Sequence, residues 1–197
     1  MKITLLTCTP AGEQLIDRAA AVCYNSELKS DGSRICSCIQ RGHTSVLEHA
    51  TATFLIQGIS RACSHQLVRH RLASFSQRSQ RYCDTGEWEP VVPPEIADNE
   101  YALSVFNDFN VLAKVYYTKL RKLGIKKEDA RFVLPNATPT SLVMTANLRE
   151  WRHIISLRAD TAAQWEIRQV AKQILVILYE QYPIVFEDLY NKFLLQH

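Results

Sequence analysis

Between His49 and Cys83 the chain has no Asp, no Glu and no Lys, yet it holds Arg61, Arg69, Arg71, Arg78 and Arg81 together with His65 and His70. Protein surfaces usually intersperse the two signs of charge, and arginines are almost never fully buried unless paired. A stretch with no acid of its own limits what the chain can do with it. Its guanidinium groups meet carboxylates from elsewhere in the chain, or they stay at the surface and meet water or an anionic ligand. The choice of Arg over Lys points to the last of these. The planar guanidinium grips phosphate in a bidentate fork and stacks on flat rings. Among the cations lie Ser74, Ser76, Ser79, Gln66, Gln77 and Gln80, neutral donors and acceptors suited to a base or sugar. The simplest ligand for the pattern is a nucleotide. A solvated basic face and structural ion pairs remain open beside it. Single-stranded nucleic-acid binding wants several aromatics interleaved with the arginines, and from Arg69 to Cys83 there are only Phe75 and Tyr82.

The remaining punctuation reads as a single α+β domain over residues 1–197. Lys2–Thr7 is a strand candidate. Thr9-Pro10 suits an N-cap and first helical residue, opening a helix to about Tyr24. A second helix is expected over Ser33–Arg41, stopped by Gly42. Ala50–Ile59 reads as a strand, and Ser60 caps a helix through Arg71. Leu72–Tyr82 reads as loop or extended chain. Pro90, Pro93 and Pro94 precede a long helix over Glu95–Leu123, with Gly124 as its stop. A short helix over Glu128–Leu134 ends at Pro135, and Ser141–Ala146 is a strand. Asn147 caps a helix to about Leu157. The last helix runs from about Thr161 to Gln181, before Pro183, and is apolar on more than one side, as burial against both core and a neighbour would require. Long helices mixed with a few non-alternating strands argue against a βαβ pattern.

Hydrophobic residues make up 47% and charged residues 22% of the chain, a globular balance with no apolar run of membrane-spanning length. The N-terminus lacks the features of a secretion signal, so a cytoplasmic location is expected. The six cysteines read as reduced thiols, since no Cys-x-x-Cys occurs and the chain is too long to need a disulfide framework. A net charge of +3 is too small to suggest nonspecific nucleic-acid binding. A metal-dependent nucleotide hydrolase would need clustered His and Asp ligands. No His is followed by Asp, and His43 and His49 stand six apart, so no metal is expected. The absence of Gly-x-Gly-x-x-Gly excludes a Rossmann flavoprotein.

Arg69-His70-Arg71, then seven residues, then Ser79, with Arg81-Tyr82 trailing, resembles the signature of flavin-dependent thymidylate synthases. Two further blocks resemble that family in the same order. Upstream is Gly42-His43-Thr44-Ser45-Val46-Leu47-Glu48-His49. Downstream are Asn147-Leu148-Arg149-Glu150-Trp151-Arg152-His153 and Leu157-Arg158-Ala159-Asp160 with Ala163-Gln164-Trp165-Glu166. The resemblance implies an α+β fold with a twisted, mainly antiparallel sheet flanked by helices. It also implies a homotetramer whose active sites are shared between subunits. The implied activity is reductive methylation of dUMP to dTMP, with 5,10-methylenetetrahydrofolate as one-carbon donor and NADPH as reductant through bound FAD. A nucleotide- or single-stranded nucleic-acid-binding module without catalysis is the alternative.

The same resemblance assigns residues. Ser45, Arg69, His70, Arg71, Gln77, Asn147, Leu148, Arg149 and His153 match flavin contacts; positive charge near a flavin favours its reduced, anionic ring. Gln66, Leu67, Val68 and Arg69 match dUMP contacts from one subunit, and Gln77, Arg78, Ser79, Gln80 and Arg81 those from another. Arg131 also matches a nucleotide contact. Arg158 matches the residue that eases loss of the uracil N3 proton, a fixed cation beside a forming anion. An activated uracil needs no protein nucleophile, so Cys63 and Cys83 receive no catalytic role. Two positions depart from the pattern: Gln77 stands where relatives can carry Glu, and Ala162 where some carry a flavin-contacting His.

Overall fold

The computed structural model describes residues 1–23, 25–29, 31–84 and 87–195. Four strands, β1 (Lys2–Cys8), β2 (Thr51–Ser60), β3 (Ala73–Gln77) and β4 (Pro139–Asn147), form an unclosed antiparallel sheet in the order β1-β2-β4-β3. The helices are α1 (Gly12–Cys23), α2 (Ser33–Gln40), α3 (Arg61–Leu67), α4 (Pro94–Ala97), α5 (Glu100–Lys122), α6 (Lys127–Ala130), α7 (Leu148–Arg158), α8 (Trp165–Gln181) and α9 (Pro183–Tyr190). The α+β expectation holds. Burial alternates strictly along β4, with Thr140, Leu142, Met144 and Ala146 on the covered face, and nearly so along β2 through Ala52, Phe54 and Ile56. Period-two burial is what a sheet with one face on a core requires.

The chain divides into two compact units. One comprises residues 1, 57–65 and 76–142; the other comprises 2–56, 66–75 and 143–197. In the first, α5 packs on α4 and α6, with Ala113 and Tyr117 buried. The entry to α3 is tied to the chain before β4: Arg61 N–H donates to Thr138 O at 3.0 Å and Ala62 N–H to Asn136 O at 3.2 Å. In the second, α8 packs on α7, α9 and β1 of its own chain, burying Ile167, Val170, Ile174, Leu175 and Leu178. One side of this helix is therefore filled from within the chain, while Val176 stays exposed.

Several element boundaries differ from expectation for identifiable reasons. Ala11 adopts φ 49, which breaks the backbone after Thr9-Pro10, so α1 begins at Gly12; Tyr24, its expected end, lies outside the described residues. The 3₁₀ segment Thr44–His49 was not expected. Gly42 (φ 75) and Gly124 (φ 84) take the left-handed geometry expected of helix stops. Asn99 splits the expected long helix, because its side chain accepts from Ala102 N–H and caps α5 separately from α4. Gln164 caps α8, placing its start at Trp165. Pro183 closes α8 and opens α9, a helix missed in the sequence; proline suits a first helical position because the N–H it lacks has no partner there. The helix expected to reach Arg71 stops at Leu67. Gln66 O and Leu67 O accept from Arg69 N–H and His70 N–H in a turn, so Arg69-His70-Arg71 sits on a bend.

Candidate functional site

The end of β4 and the start of α7 build one part of the site. Asn147 Oδ1 accepts from Glu150 N–H at 2.8 Å, the N-cap expected from the sequence. Leu148 N–H donates to Ala50 O at 2.9 Å. Trp151, fully buried, donates Nε1–H to Ala52 O at 3.0 Å and meets the Phe54 ring edge-on at 5.1 Å. These contacts clamp the first turn of α7 to β2, and truncating such a tryptophan costs about 3–5 kcal/mol. With the helix fixed, Glu150, His153 and Arg158 fall at spacings that bring all three to one neighbour, His70.

His70 is 5% exposed. Arg158 donates Nε–H to His70 Nε2 at 3.1 Å and Nη2–H to Gln66 O at 3.4 Å. Glu150 Oε1 lies 3.6 Å from His70 Nδ1, and the His153 ring stands edge-on to His70 at 5.8 Å. Burial, then the charges of Arg158 and His153, push the His70 imidazole down to about 4. Burial also raises Glu150 from its ordinary value, against the opposing pull of His153. His70 is thus neutral near pH 7. A donor aimed at Nε2 requires a lone pair there, which puts the imidazole proton on Nδ1, toward Glu150.

His70, Glu150 and His153 also place their ligand-type atoms within 4.8 Å of one another. Sequence spacing did not reveal this trio, because His70 lies far from α7 in the chain. The arrangement fits a cation poorly. The Nδ1 that faces the carboxylate carries the proton, and the Nε2 lone pair is spent on an arginine.

The flanking cations are disposed differently. Arg69 and Arg71 are exposed and have no carboxylate partner among the described residues. Arg149, also exposed, pairs with Glu48 at 2.5 Å, which gives Glu48 a role the sequence left open. Ser45 lies exposed on the 3₁₀ segment, which packs on α7. Val68 is exposed. Leu67 and Leu148 are buried in the core, so only their main chain can meet a ligand.

In the other unit, Arg61, His65, Gln80, Arg131 and Asn136 line a cavity of about 260 Å³. Burial and the neighbouring Arg131 charge lower Arg61 from its ordinary value. Two guanidinium groups facing one cavity make a site for an anion. Arg61 and His65 were not assigned from sequence. Their i, i+4 spacing at the start of the acid-free stretch was the available signal. Gln77 Nε2–H donates to Thr140 Oγ1 at 3.3 Å, and Arg78 N–H to Ser141 O at 2.9 Å, fixing this loop on β4. Ser79 Oγ accepts from Arg81 N–H at 3.1 Å, and Arg81 pairs with Glu128. Cys63 is fully buried and Cys83 partly exposed.

Residues 4–184 match the family model described as thymidylate synthase complementing protein. The chain is 44% identical to the flavin-dependent thymidylate synthase of Geobacter sulfurreducens, an alignment covering 95% of this chain and 86% of that protein. It is 38% identical to that of Nitratidesulfovibrio vulgaris, over 94% of this chain and 85% of the relative. The enzyme of the same name from Thermococcus kodakarensis is 49% identical over 68% of this chain and 56% of its own length. The chain belongs to the flavin-dependent thymidylate synthase family.

A flavin dinucleotide presents a pyrophosphate and a ring that is anionic when reduced. Arg69 and Arg71, two exposed guanidinium groups without carboxylate partners among the described residues, have the chemistry that such a group would need.

Proposed function

We propose that this chain catalyses the reductive methylation of dUMP to dTMP, with 5,10-methylenetetrahydrofolate as one-carbon donor and NADPH as reductant. The observation that carries the reading is the double anchoring of Arg158: Nε and Nη2 are held by His70 and Gln66, and Nη1 has no hydrogen-bond partner among the described residues. A guanidinium fixed in this way does not reorganise when charge appears beside it, which is how preorganised donors lower a barrier. Facing the uracil N3–C4 edge, it stabilises the anion left by loss of the N3 proton and so raises the nucleophilicity of C5. Bound FAD supplies the hydride chemistry that the polypeptide lacks. Arg69, His70, Arg71, Asn147, Arg149 and His153, with Ser45, would hold it, and Gln77 would reach it from another subunit.

The phosphate of a dUMP whose base lies in another subunit is assigned to the cavity of Gln80 and Arg131, where Arg61 and His65 join them, with Arg78, Ser79 and Arg81 on the adjoining loop. The family match runs through both compact units, which supports one functional domain over 1–197. Homotetramer formation is supported by α5, whose Tyr101, Val105, Phe109, Leu112 and Tyr116 are each more than half exposed and spaced along one helical face. No helix among the described residues is long and apolar enough to cross a membrane, and a cytoplasmic site of action is part of the proposal.

Tritium release from C5-labelled dUMP, assayed with NADPH and methylenetetrahydrofolate in the presence and absence of FAD, tests the reading. Release that requires both FAD and NADPH is expected. A folded protein that shows neither release nor flavin absorbance overturns it.

A further inference from the structure

Glu150, in the downstream motif, has no part in the chemistry above. Glu150 is 6% exposed in the first turn of α7, where burial of a carboxyl group carries a desolvation penalty. Its backbone N–H satisfies the Asn147 cap, but the cap does not need an acidic side chain. The neighbouring arginines pair elsewhere: Arg149 with Glu48 and Arg152 with Asp188. The Glu150 carboxyl instead points Oε1 at His70 Nδ1, while the opposite ring nitrogen receives Arg158.

We propose that Glu150 is a positioning residue, which holds His70 in its Nδ1–H tautomer so that Nε2 can anchor the Arg158 guanidinium. The reasoning is geometric. A neutral imidazole has one N–H and one lone pair, and the side on which the proton sits decides whether Nε2 accepts or donates. In the Nε2–H tautomer two N–H donors face each other across 3.1 Å, and Arg158 loses its Nε anchor. A carboxyl oxygen 3.6 Å from Nδ1 is too distant to count as a hydrogen bond, but close enough for its negative charge to favour the proton on that side. Among the described residues, the charged and titratable groups against the ring are Glu150, His153 and Arg158. Arg158 and His153 both oppose protonation of His70. Only Glu150 draws the proton toward Nδ1. Gln66 O keeps the second anchor, so loss of the first lets Arg158 swing about Nη2 without releasing it.

The inference rests on the role proposed for Arg158, and the test separates the two. ¹⁵N spectra of histidine-labelled protein at pH 7.5 are expected to show His70 with a protonated Nδ1 and an unprotonated Nε2. In E150Q the proton is expected to redistribute toward Nε2, with kcat falling on the order of 10-fold, the low end for outer partners that orient a ligand imidazole. KM for dUMP and flavin retention are expected to change little. E150D, which keeps the carboxylate, is expected to recover most of the wild-type tautomer and part of kcat. A wild-type His70 protonated on Nε2 overturns the proposal, and this readout needs no variant to fold. So does an E150Q protein with unchanged spectrum and unchanged kcat. Zn²⁺ titration that displaces the Nδ1 proton at equimolar metal also overturns it, in favour of a cation site. If E150Q shifts the tautomer while R158K turns over normally, the tautomer control stands and the reading of Arg158 falls.

Discussion

Two sets of arginines in this molecule differ in how the protein holds them. Two of those on α7 are held by the protein: Arg152 by Asp188 with both guanidinium nitrogens, and Arg158 by His70 and Gln66, while Arg149 meets Glu48 in a pair as exposed as any at the surface. Those in the acid-free stretch are largely unheld. Among the described residues Arg69 and Arg71 are exposed without carboxylate partners, and the Arg78 side chain reaches the main-chain oxygen of Asp84. Arg81 does pair with Glu128, but both side chains are more than a third exposed, where such a pair contributes about 0–1 kcal/mol. A held cation has its direction set before substrate arrives and acts on charge that develops later. An unheld one is completed by the ligand and contributes affinity. The difference separates rate from binding, and each set can be tested for the wrong behaviour.

Arg158→Lys carries the largest expected effect. A lysine keeps the charge but has neither the fork nor the two anchors. Turnover is expected to fall about 100-fold or more, the scale of losing one preorganised donor. Flavin absorbance is expected to persist. Near-normal turnover, measured by tritium release, breaks the comparison at its strongest point. Arg69→Ala and Arg71→Ala are the counterparts in the unheld set. Each is expected to weaken flavin retention about 10- to 100-fold, since a hydrogen bond to a charged group is worth about 1.5–3 kcal/mol. Flavin titration of the apoprotein reads this directly. In saturating FAD their kcat is expected to approach that of the parent; a kcat that stays low moves them into the rate-setting class.

The held cluster also leaves a mark on stability. His70 is pushed down to about 4 from 6.5, so above pH 6.5 it is neutral in both folded and unfolded chains. As pH falls from 6.5 toward 4, the unfolded chain takes up the proton first and the folded state is penalised. The loss is on the order of 2 kcal/mol by pH 4.5. Urea unfolding at pH 7 and 4.5 should show this loss, and His70→Asn should remove that part of the slope. An equal slope in the variant places the pH dependence elsewhere.

Much of this was legible in the residues, and what was missed has physical causes. The Asn147 cap, the Gly42 and Gly124 stops and the α+β class were all local signals, and the structure keeps them. Pro183 was read only as a terminator, because a proline that ends one helix looks the same in sequence as one that opens the next. Arg69-His70-Arg71 was expected on a helix. The side-chain serine cap and the helical spacing were present, but main-chain bonds from Arg69 and His70 close a turn instead. Arg158 was assigned through the family motif. Its anchor was not visible, since the pairing with His70 spans 88 positions and Glu150 reads as an ordinary acidic residue in a first helical turn.

Ser79→Ala gives the smallest expected effect and the sharpest division between the two sets. The Ser79 hydroxyl oxygen already accepts from Arg81 N–H, so it has a structural duty in the loop as well as its proposed contact with dUMP. Its removal is expected to weaken dUMP binding about fivefold, the worth of one neutral hydrogen bond near 1 kcal/mol, with little change in flavin affinity. A threonine at this position keeps the hydroxyl and the turn and is expected to bind dUMP within about twofold of the parent. If Ser79→Ala weakens flavin and nucleotide equally, the loop acts by shape and its serine is no ligand contact. If only the nucleotide suffers and the threonine restores it, the hydroxyl belongs with the unheld arginines, as a group whose bond to the substrate forms on arrival.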